Sequence, residues 1–363
     1  MRFHLKCVLN NPRSNGNRGY VIFLVRSIPT VSASTRASLP PITIQSIAEE
    51  TLCLRDNQSS SASQRRIEWD DLDHDLHNWI QGMRPFRWYP GHIAKAEREL
   101  KEQLKFMDVV IEVRDARIPL STSHPMLESW AGNKHSIVVL NREDMITKSD
   151  RSAWAKYFSK IGVRVLFSNS QLGKGTSKIR SSATSMAEDV NAKRRSKGLL
   201  PRPIRAGVIG YPNVGKSSLI NRLLRRRMCP AAPKPGVTRE LRWVHAGKEL
   251  ELLDSPGILP VRVKDKKAAL KIAICDDIGE KSYDVVAVAE ILVQLLAKHP
   301  DVGSRALHKR YKFDADGRCG QTFVERLSRN LFGGDTHLAA CRVLNDFRKG
   351  KFGFVALERP PKM

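Results

Sequence analysis

Between Gly210 and Ser217 the chain reads GYPNVGKS, two glycines framing a short loop that ends in a lysine and a hydroxyl. Residue types at this spacing point to phosphate chemistry, in which backbone N–H groups curl around phosphate oxygens, an ammonium group neutralises the outer phosphates and the hydroxyl reaches a divalent cation; a plain glycine turn before a basic helix is the alternative. Asn213, Val214, Gly215, Lys216, Ser217 and Ser218 are therefore the candidate phosphate binders, with Lys216 as the catalytic charge on the β- and γ-phosphates and Ser217 on Mg2+. Two local elements must hold them. Ala206 to Gly210 is an apolar run suited to a buried strand, and Lys216 to Arg227 predicts a helix with Leu219, Ile220, Leu223 and Leu224 inward.

Further along, Pro235 to Glu240 offers Thr238 on a flexible segment that can close over a γ-phosphate and give its hydroxyl to the metal. Glu249 to Leu253 is an apolar strand ending in Asp254, which would hold Mg2+ through water; the turn that follows brings the N–H of Gly257 to the γ-phosphate. Singly, Thr238 is an ordinary loop hydroxyl and Asp254 to Gly257 an ordinary turn. Their order and spacing behind the glycine loop join them into one site. Ile258 stands where a water-orienting glutamine is expected and cannot polarise water, so intrinsic hydrolysis should be slow.

The base of a nucleotide needs its own readers. Ser136 to Leu140 is strand-like and runs into Asn141, Arg142 and Asp144, at the strand end where ligands gather in parallel α/β sheets. The grouping resembles the guanine-reading motif of GTPases, in which an aspartate accepts from the ring N–H and the exocyclic amine, a donor pair adenine lacks; Arg142 stands where lysine is usual. A second strand, Val163 to Phe167, leads to Ser168, Asn169 and Ser170, which can meet the guanine oxygen through backbone N–H groups. A polar turn after a strand is the plainer alternative for Asn141 and Asp144.

Base-reading residues ahead of phosphate-reading ones reverse the usual order, so the sequence resembles a circularly permuted P-loop GTPase. Asp115, Ala116 and Arg117 match the "DAR" element of the YlqF/RbgA-type family, and Trp88 to Ala96 matches its amino-terminal signature. The match runs from residue 85 to 350, and with the leader described below the chain looks most like the plant chloroplast DAR GTPases. The resemblance implies that His92 enters the site when a partner binds and positions the attacking water; on its own, His92 would more simply cap a helix starting at Ile93. Asn213 is similar to an asparagine of related GTPases that hold K+ beside the phosphates; the alternative is a loop asparagine satisfying backbone groups.

Lys+Arg 62 against Asp+Glu 37 leaves a net charge of +25, which points to a polyanion such as RNA. Basic clusters at Lys193 to Lys197, Arg222, Arg225 to Arg227, Lys264 to Lys267 and Arg348 to Lys351 spread this charge over the chain. No apolar stretch approaches the ~20 residues of a membrane span. No acidic residue precedes Glu49, while arginines, serines and threonines abound, which is the composition of an organelle transit peptide; chloroplast stroma is the first expectation and mitochondrion the alternative. The 6 cysteines lack metal or CxxC spacing and suit a reducing compartment.

The expected organisation is a transit peptide and linker over 1–60, a segment with the Pro-Gly-His element over 61–106, an α/β doubly wound GTPase domain over 107–262 and a small all-helical RNA- or ribosome-binding domain over 263–363. Helices are predicted over His92 to Phe106, Tyr283 to His299, Thr322 to Leu331 and Thr336 to Phe347. Permutation leaves the chain beyond Gly257 free to pull on this last domain, through Val261 and the basic run Lys264 to Lys267. The expected activity is hydrolysis of GTP to GDP by an assembly factor that binds rRNA of the large ribosomal subunit precursor in its GTP state and leaves after ribosome-stimulated hydrolysis. A non-catalytic, nucleotide-gated RNA scaffold is the alternative; a phosphotransferase would leave Asn141 and Asp144 unexplained.

Overall fold

Short β-branched and leucine-rich runs form six strands: β1 (Val109–Asp115), β2 (His135–Asn141), β3 (Val165–Ser168), β4 (Ile204–Gly210), β5 (Arg242–His245) and β6 (Leu250–Asp254). In this computed structural model they make one sheet in the order β3-β2-β1-β4-β6-β5, parallel throughout except for the β5–β6 pair. The structure describes residues 68–83, 86, 90–229, 241–260, 263, 265–315 and 319–362, with the side chains of 90–94 and 187–188 excluded. The leader, the join behind it and the Thr238 segment lie outside these residues.

β1 and β4 sit at the centre and are buried on both faces, which is why they read as nearly unbroken apolar runs. From β1 the sheet is built towards β2 and β3; from β4 it is built the other way, towards β6 and β5. Strand order therefore reverses between β1 and β4, and the crevice at their carboxyl ends is where a ligand belongs in an open α/β sheet. Asp115, Asn141, Gly210 and Asp254 all stand at those ends.

The helices of the first part are α1 (Trp69–Trp79), α2 (Pro90–Leu104), α3 (Leu127–Ala131), α4 (Lys148–Lys160), α5 (Thr176–Ser185), α6 (Ala187–Arg195) and α7 (Lys216–Leu224). The expected continuation of α7 to Arg227 is not found. Arg225 turns left-handed at φ 55, and the Asn221 carboxamide holds Met228 N–H, Cys229 N–H and Cys229 carbonyl, drawing the chain out of the helix. The helix expected from His92 begins earlier, at Pro90, whose fixed φ and missing N–H suit a first helical position. His92 thus lies inside the first turn, which overturns its reading as a cap before Ile93.

Beyond residue 260 the chain is helical: α8 (Lys266–Cys275), α9 (Val285–Lys298), α10 (Arg305–Tyr311), α11 (Gly320–Leu331) and α12 (Thr336–Arg348). The predicted helices fall on α9, α11 and α12 within two residues at each end. Asp284 caps α9 through Val286 and Ala287 N–H, and Asp335 caps α12 through Leu338 N–H. Lys266 and Lys267 of the basic run open α8, capped by Asp265, while Lys264 lies outside the described residues. α11 approaches α9 so closely at Gly320 that a Cβ there would overlap the Glu290 carbonyl. One buried apolar set joins Ile111 and Val208 of the sheet to Leu270, Leu292 and Phe347 of the helices. α1 packs on this helical part through charge: Asp73 meets Lys267 at 2.5 Å and Asp75 meets Lys298 at 2.9 Å.

Candidate nucleotide site

The loop between β4 and α7 depends on glycine at both ends. Gly210 has φ 155 with the Val113 carbonyl against it, and Gly215 has φ 103 with the Asn141 side chain against it, so a Cβ at either would overlap its neighbour. Lys216 opens α7 as a buried residue, its Nζ donating to the carbonyls of Gly210 at 3.1 Å and Tyr211 at 2.8 Å. Two of three ammonium N–H groups are thereby fixed, leaving one for a phosphate. Burial pulls the Lys216 ammonium down to about 8, against the opposing pull of Asp254 and Asp277. An incoming phosphate adds negative charge at that point and favours the charged form. Val214 is buried under the loop, and Ser218 lies in the first turn of α7.

Ser217 Oγ and the Asp254 carboxylate converge at 3.0 Å. Burial raises the Asp254 carboxyl, with the Ser217 hydroxyl and Lys216 opposing. A hard cation is the partner such an oxygen pair accepts, and it would favour the ionised acid. Beyond Asp254, Gly257 presses on the phosphate loop so tightly that a Cβ would overlap Pro212. Ile258 donates its N–H to the Gly210 carbonyl at 3.2 Å and buries its side chain with Leu100 and Leu104 of α2, Val110 and Leu253. The position expected for a water-orienting group is thus part of an apolar cluster, under the helix that carries His92 in its first turn.

Asn141 works as a clamp. Its Nδ2 donates to the Val214 carbonyl at 2.8 Å, while its Oδ1 accepts from Ser170 N–H at 3.0 Å, Ser170 Oγ at 2.8 Å and Ser168 Oγ at 3.1 Å. Asn169 gives its N–H to the Lys174 carbonyl and organises the turn through Gln171 and Leu172 N–H. The N–H groups of Asn169 and Ser170 assigned from sequence to guanine are already engaged here. Arg142, left-handed at φ 64, reaches the Asn213 carbonyl at 2.9 Å. Asp144 is exposed and makes no hydrogen bond or ion pair with the described residues, so its carboxylate is available to a base.

Sequence reasoning missed what lies beneath. Arg117 forks onto Asp115 at 2.7 to 3.0 Å with both side chains buried, and Arg142 Nε stands 3.5 Å from the same carboxylate. Burial would raise the Asp115 carboxyl, but the Arg117 and Arg142 guanidinium groups hold it below the usual range. Arg117 also reaches the Cys275 carbonyl at 3.4 Å and lies over the Phe347 ring. Asn213, left-handed at φ 60, donates to the Asp276 carboxylate at 2.9 Å, and Asp276 stands 3.6 Å from Arg348 of α12. Asp277 is fully buried with neither carboxylate oxygen hydrogen-bonded among the described residues, and burial, helped by Asp115, pushes it well above the carboxylate range. The "DAR" match marked Asp115 and Arg117; no local pattern marked the turn after α8.

Arg117→Met leaves Asp115 short of its closest counter-charge inside the protein, and the expected result is a loss of about 3–5 kcal/mol in unfolding free energy by urea titration. A loss under about 1 kcal/mol would mean that Arg142 alone neutralises the site.

Residues 205–302 match the family described as 50S ribosome-binding GTPase. The chain is 36% identical over 284 residues to Ribosome biogenesis GTPase A of Bacillus licheniformis, covering 76% of this chain and 99% of that protein. It is 29% identical over 229 residues to Mitochondrial ribosome-associated GTPase 1 of Bos taurus, covering 61% of this chain and 68% of that one. Among solved structures, GNP-bound YlqF from T. maritima aligns with a TM-score of 0.49 at 24% identity, over 74% of this chain and all of the other.

Proposed function

The chain belongs to the ribosome biogenesis GTPase A family, the YlqF/RbgA type, and from that premise we propose that it is an assembly factor for the large subunit of an organellar ribosome. It is a GTPase with a role in ribosomal subunit assembly. In its GTP form it docks on precursor rRNA, and it leaves after the maturing subunit stimulates hydrolysis to GDP and phosphate. The observation that carries the nucleotide part is the 2.8 Å bond from Asn141 to the Val214 carbonyl, by which an early base-reading loop and a late phosphate-reading loop share one pocket. The leader composition supports the chloroplast stroma. A mitochondrial setting is the second reading, and the bovine relative's name favours it.

In this reading the free N–H of Lys216 meets the β- and γ-phosphates, the Gly257 N–H meets the γ-phosphate, and Asp144 reads the guanine edge. Ser217 and Asp254, with Thr238 from outside the described residues, would hold Mg2+, which supplies charge neutralisation on the transferring phosphoryl group. Asn213 anchors its Nδ2 on Asp276 and keeps Oδ1 for K+; turnover several-fold faster in KCl than in NaCl at equal ionic strength is expected, and equal rates would remove the ion from the account.

His92 is the water-positioning residue, brought in when the subunit moves α2 against Ile258. His92→Ala is expected to keep GTP affinity while lowering particle-stimulated turnover by about 10²–10³-fold. Unchanged stimulated turnover would reject the role. For the function itself, the protein with a non-hydrolysable GTP analogue should sediment with immature large-subunit particles from chloroplasts. Failure to do so at low salt overturns the reading.

A further inference from the structure

Positive charge is distributed unevenly with respect to its partners. In the helical part several cations are answered internally, Arg310 by Asp346 at 2.8 Å, Arg348 by Glu280 at 3.3 Å and Lys298 by Asp75 at 2.9 Å, while Arg305, Lys309 and Lys312 are exposed and make no ion pair with the described residues. Lys193, Arg195 and Lys197 at the end of α6, and Arg225, Arg226 and Arg227 beyond the end of α7, are exposed and their side chains make no ion pair or hydrogen bond with the described residues. Helix-end cations ordinarily complement the macrodipole. That accounts for the last turn of α6, but not for Lys197, Arg226 or Arg227, which lie past their helices.

Both groups belong to one edge of the sheet. α7 starts at the phosphate loop, so its far end falls at the opposite edge, where the parallel strands begin. The chain leaving Lys197 enters β4 at Ile204 on that same edge. α5 ties the parts together: Arg180 donates to the Leu223 carbonyl of α7 at 3.1 Å and to the Ala246 carbonyl of the β5–β6 turn at 2.9 Å. Asn191 of α6 exchanges hydrogen bonds with Arg202. Of the acids there among the described residues, Asp108 and Glu251 are taken up by Arg202 and Arg205, Asp189 and Glu249 are exposed without ion pairs, and the unpaired cations outnumber these two.

Resting on the assembly-factor reading, we propose that this edge of the nucleotide domain, opposite the GTP site, is a docking surface for the phosphates of structured rRNA, separate from any contact made by the helical part. Exposed, unpaired cations at helix ends fit a polyanion with closely spaced charges and release its counterions on binding.

The test uses the full chain, in-vitro-transcribed large-subunit rRNA as probe, and dissociation constants measured across a range of KCl concentrations. One variant replaces Lys193, Arg195 and Lys197 by Gln, a second replaces Arg225, Arg226 and Arg227 by Gln, and a control replaces the exposed Arg305, Lys309 and Lys312 of the helical part. The first two should each bind at least about tenfold more weakly, with a slope of log K against log salt smaller by about 2–3, while the control keeps most of the wild-type slope and all keep intrinsic GTP turnover. Wild-type-like affinity and slope in both variants overturns the surface and leaves the assembly role standing. Failure of the wild type to bind rRNA at all overturns the assembly role itself. Tighter binding to anionic phospholipid vesicles than to rRNA, lost in the same variants, overturns the RNA assignment in favour of a membrane.

Discussion

Asp144→Asn is expected to turn a GTP-selective protein into one that prefers xanthosine triphosphate. In the proposed reading the carboxylate accepts from two guanine donors, and charged hydrogen bonds of this kind contribute about 1.5–3 kcal/mol each, so GTP affinity should fall by about 10²–10⁴-fold. Xanthine presents an oxygen where guanine has its amine, and the new amide offers the matching donor. Asp144 is exposed and makes no hydrogen bond or ion pair with the described residues, so the substitution removes no contact among them and the thermal midpoint should stay where it is. Titration with fluorescent GTP, XTP and ATP analogues checks this. An unchanged GTP-to-XTP ratio, or ATP bound as well as GTP by the wild type, would mean that Asn141 and Asp144 do not read a base.

Gly215→Ala should remove nucleotide binding by a different route. At φ 103 an alanine is strained, and its methyl would occupy the space of the Asn141 amide, the group that holds Val214 on one side and faces Ser168 and Ser170 on the other. One methyl group therefore disturbs the phosphate loop and the base loop together, and GTP and GDP affinity should both drop by at least about 100-fold. Gly198→Ala separates strain from overlap: its φ is 69, but nothing lies within 4 Å of a Cβ there. That variant should lose only about 1 kcal/mol of stability and bind GTP normally. Equal nucleotide affinity in the Gly215 variant and the wild type would show that the Asn141 clamp can yield without consequence.

Some of this was legible in the chain and some was not, for physical reasons. The glycine loop, the strands flanking it and helices α9, α11 and α12 announce themselves through local spacing, because a strand or helix buries one face and its caps lie within a few residues. Their order along the chain led to the expectation that the Asn141 loop and the glycine loop meet, and the structure brings those two loops together. The end of α7 at Leu224 was not legible, since it is set by Asn221 bonding forward to Met228 and Cys229. β5 escaped notice because an edge strand with exposed Arg242 and His245 carries no full apolar alternation. The seating of α1 through Asp73 and Asp75 depends on lysines almost 200 residues and more than 200 residues away, a relation no local period encodes. Asn141 was expected to serve a base, and its larger visible role is to fasten two loops.

The end of α8 and the turn behind it meet the nucleotide side twice, at Asp276 through Asn213 and at the Cys275 carbonyl through Arg117, whose carboxylate partner also faces Arg142; both lines then arrive at α12, at Arg348 and Phe347. Thermodynamic reciprocity follows from such a shared joint. Should the last helices bind a partner, whatever factor GTP contributes to that grip the partner must return to the protein's hold on GTP.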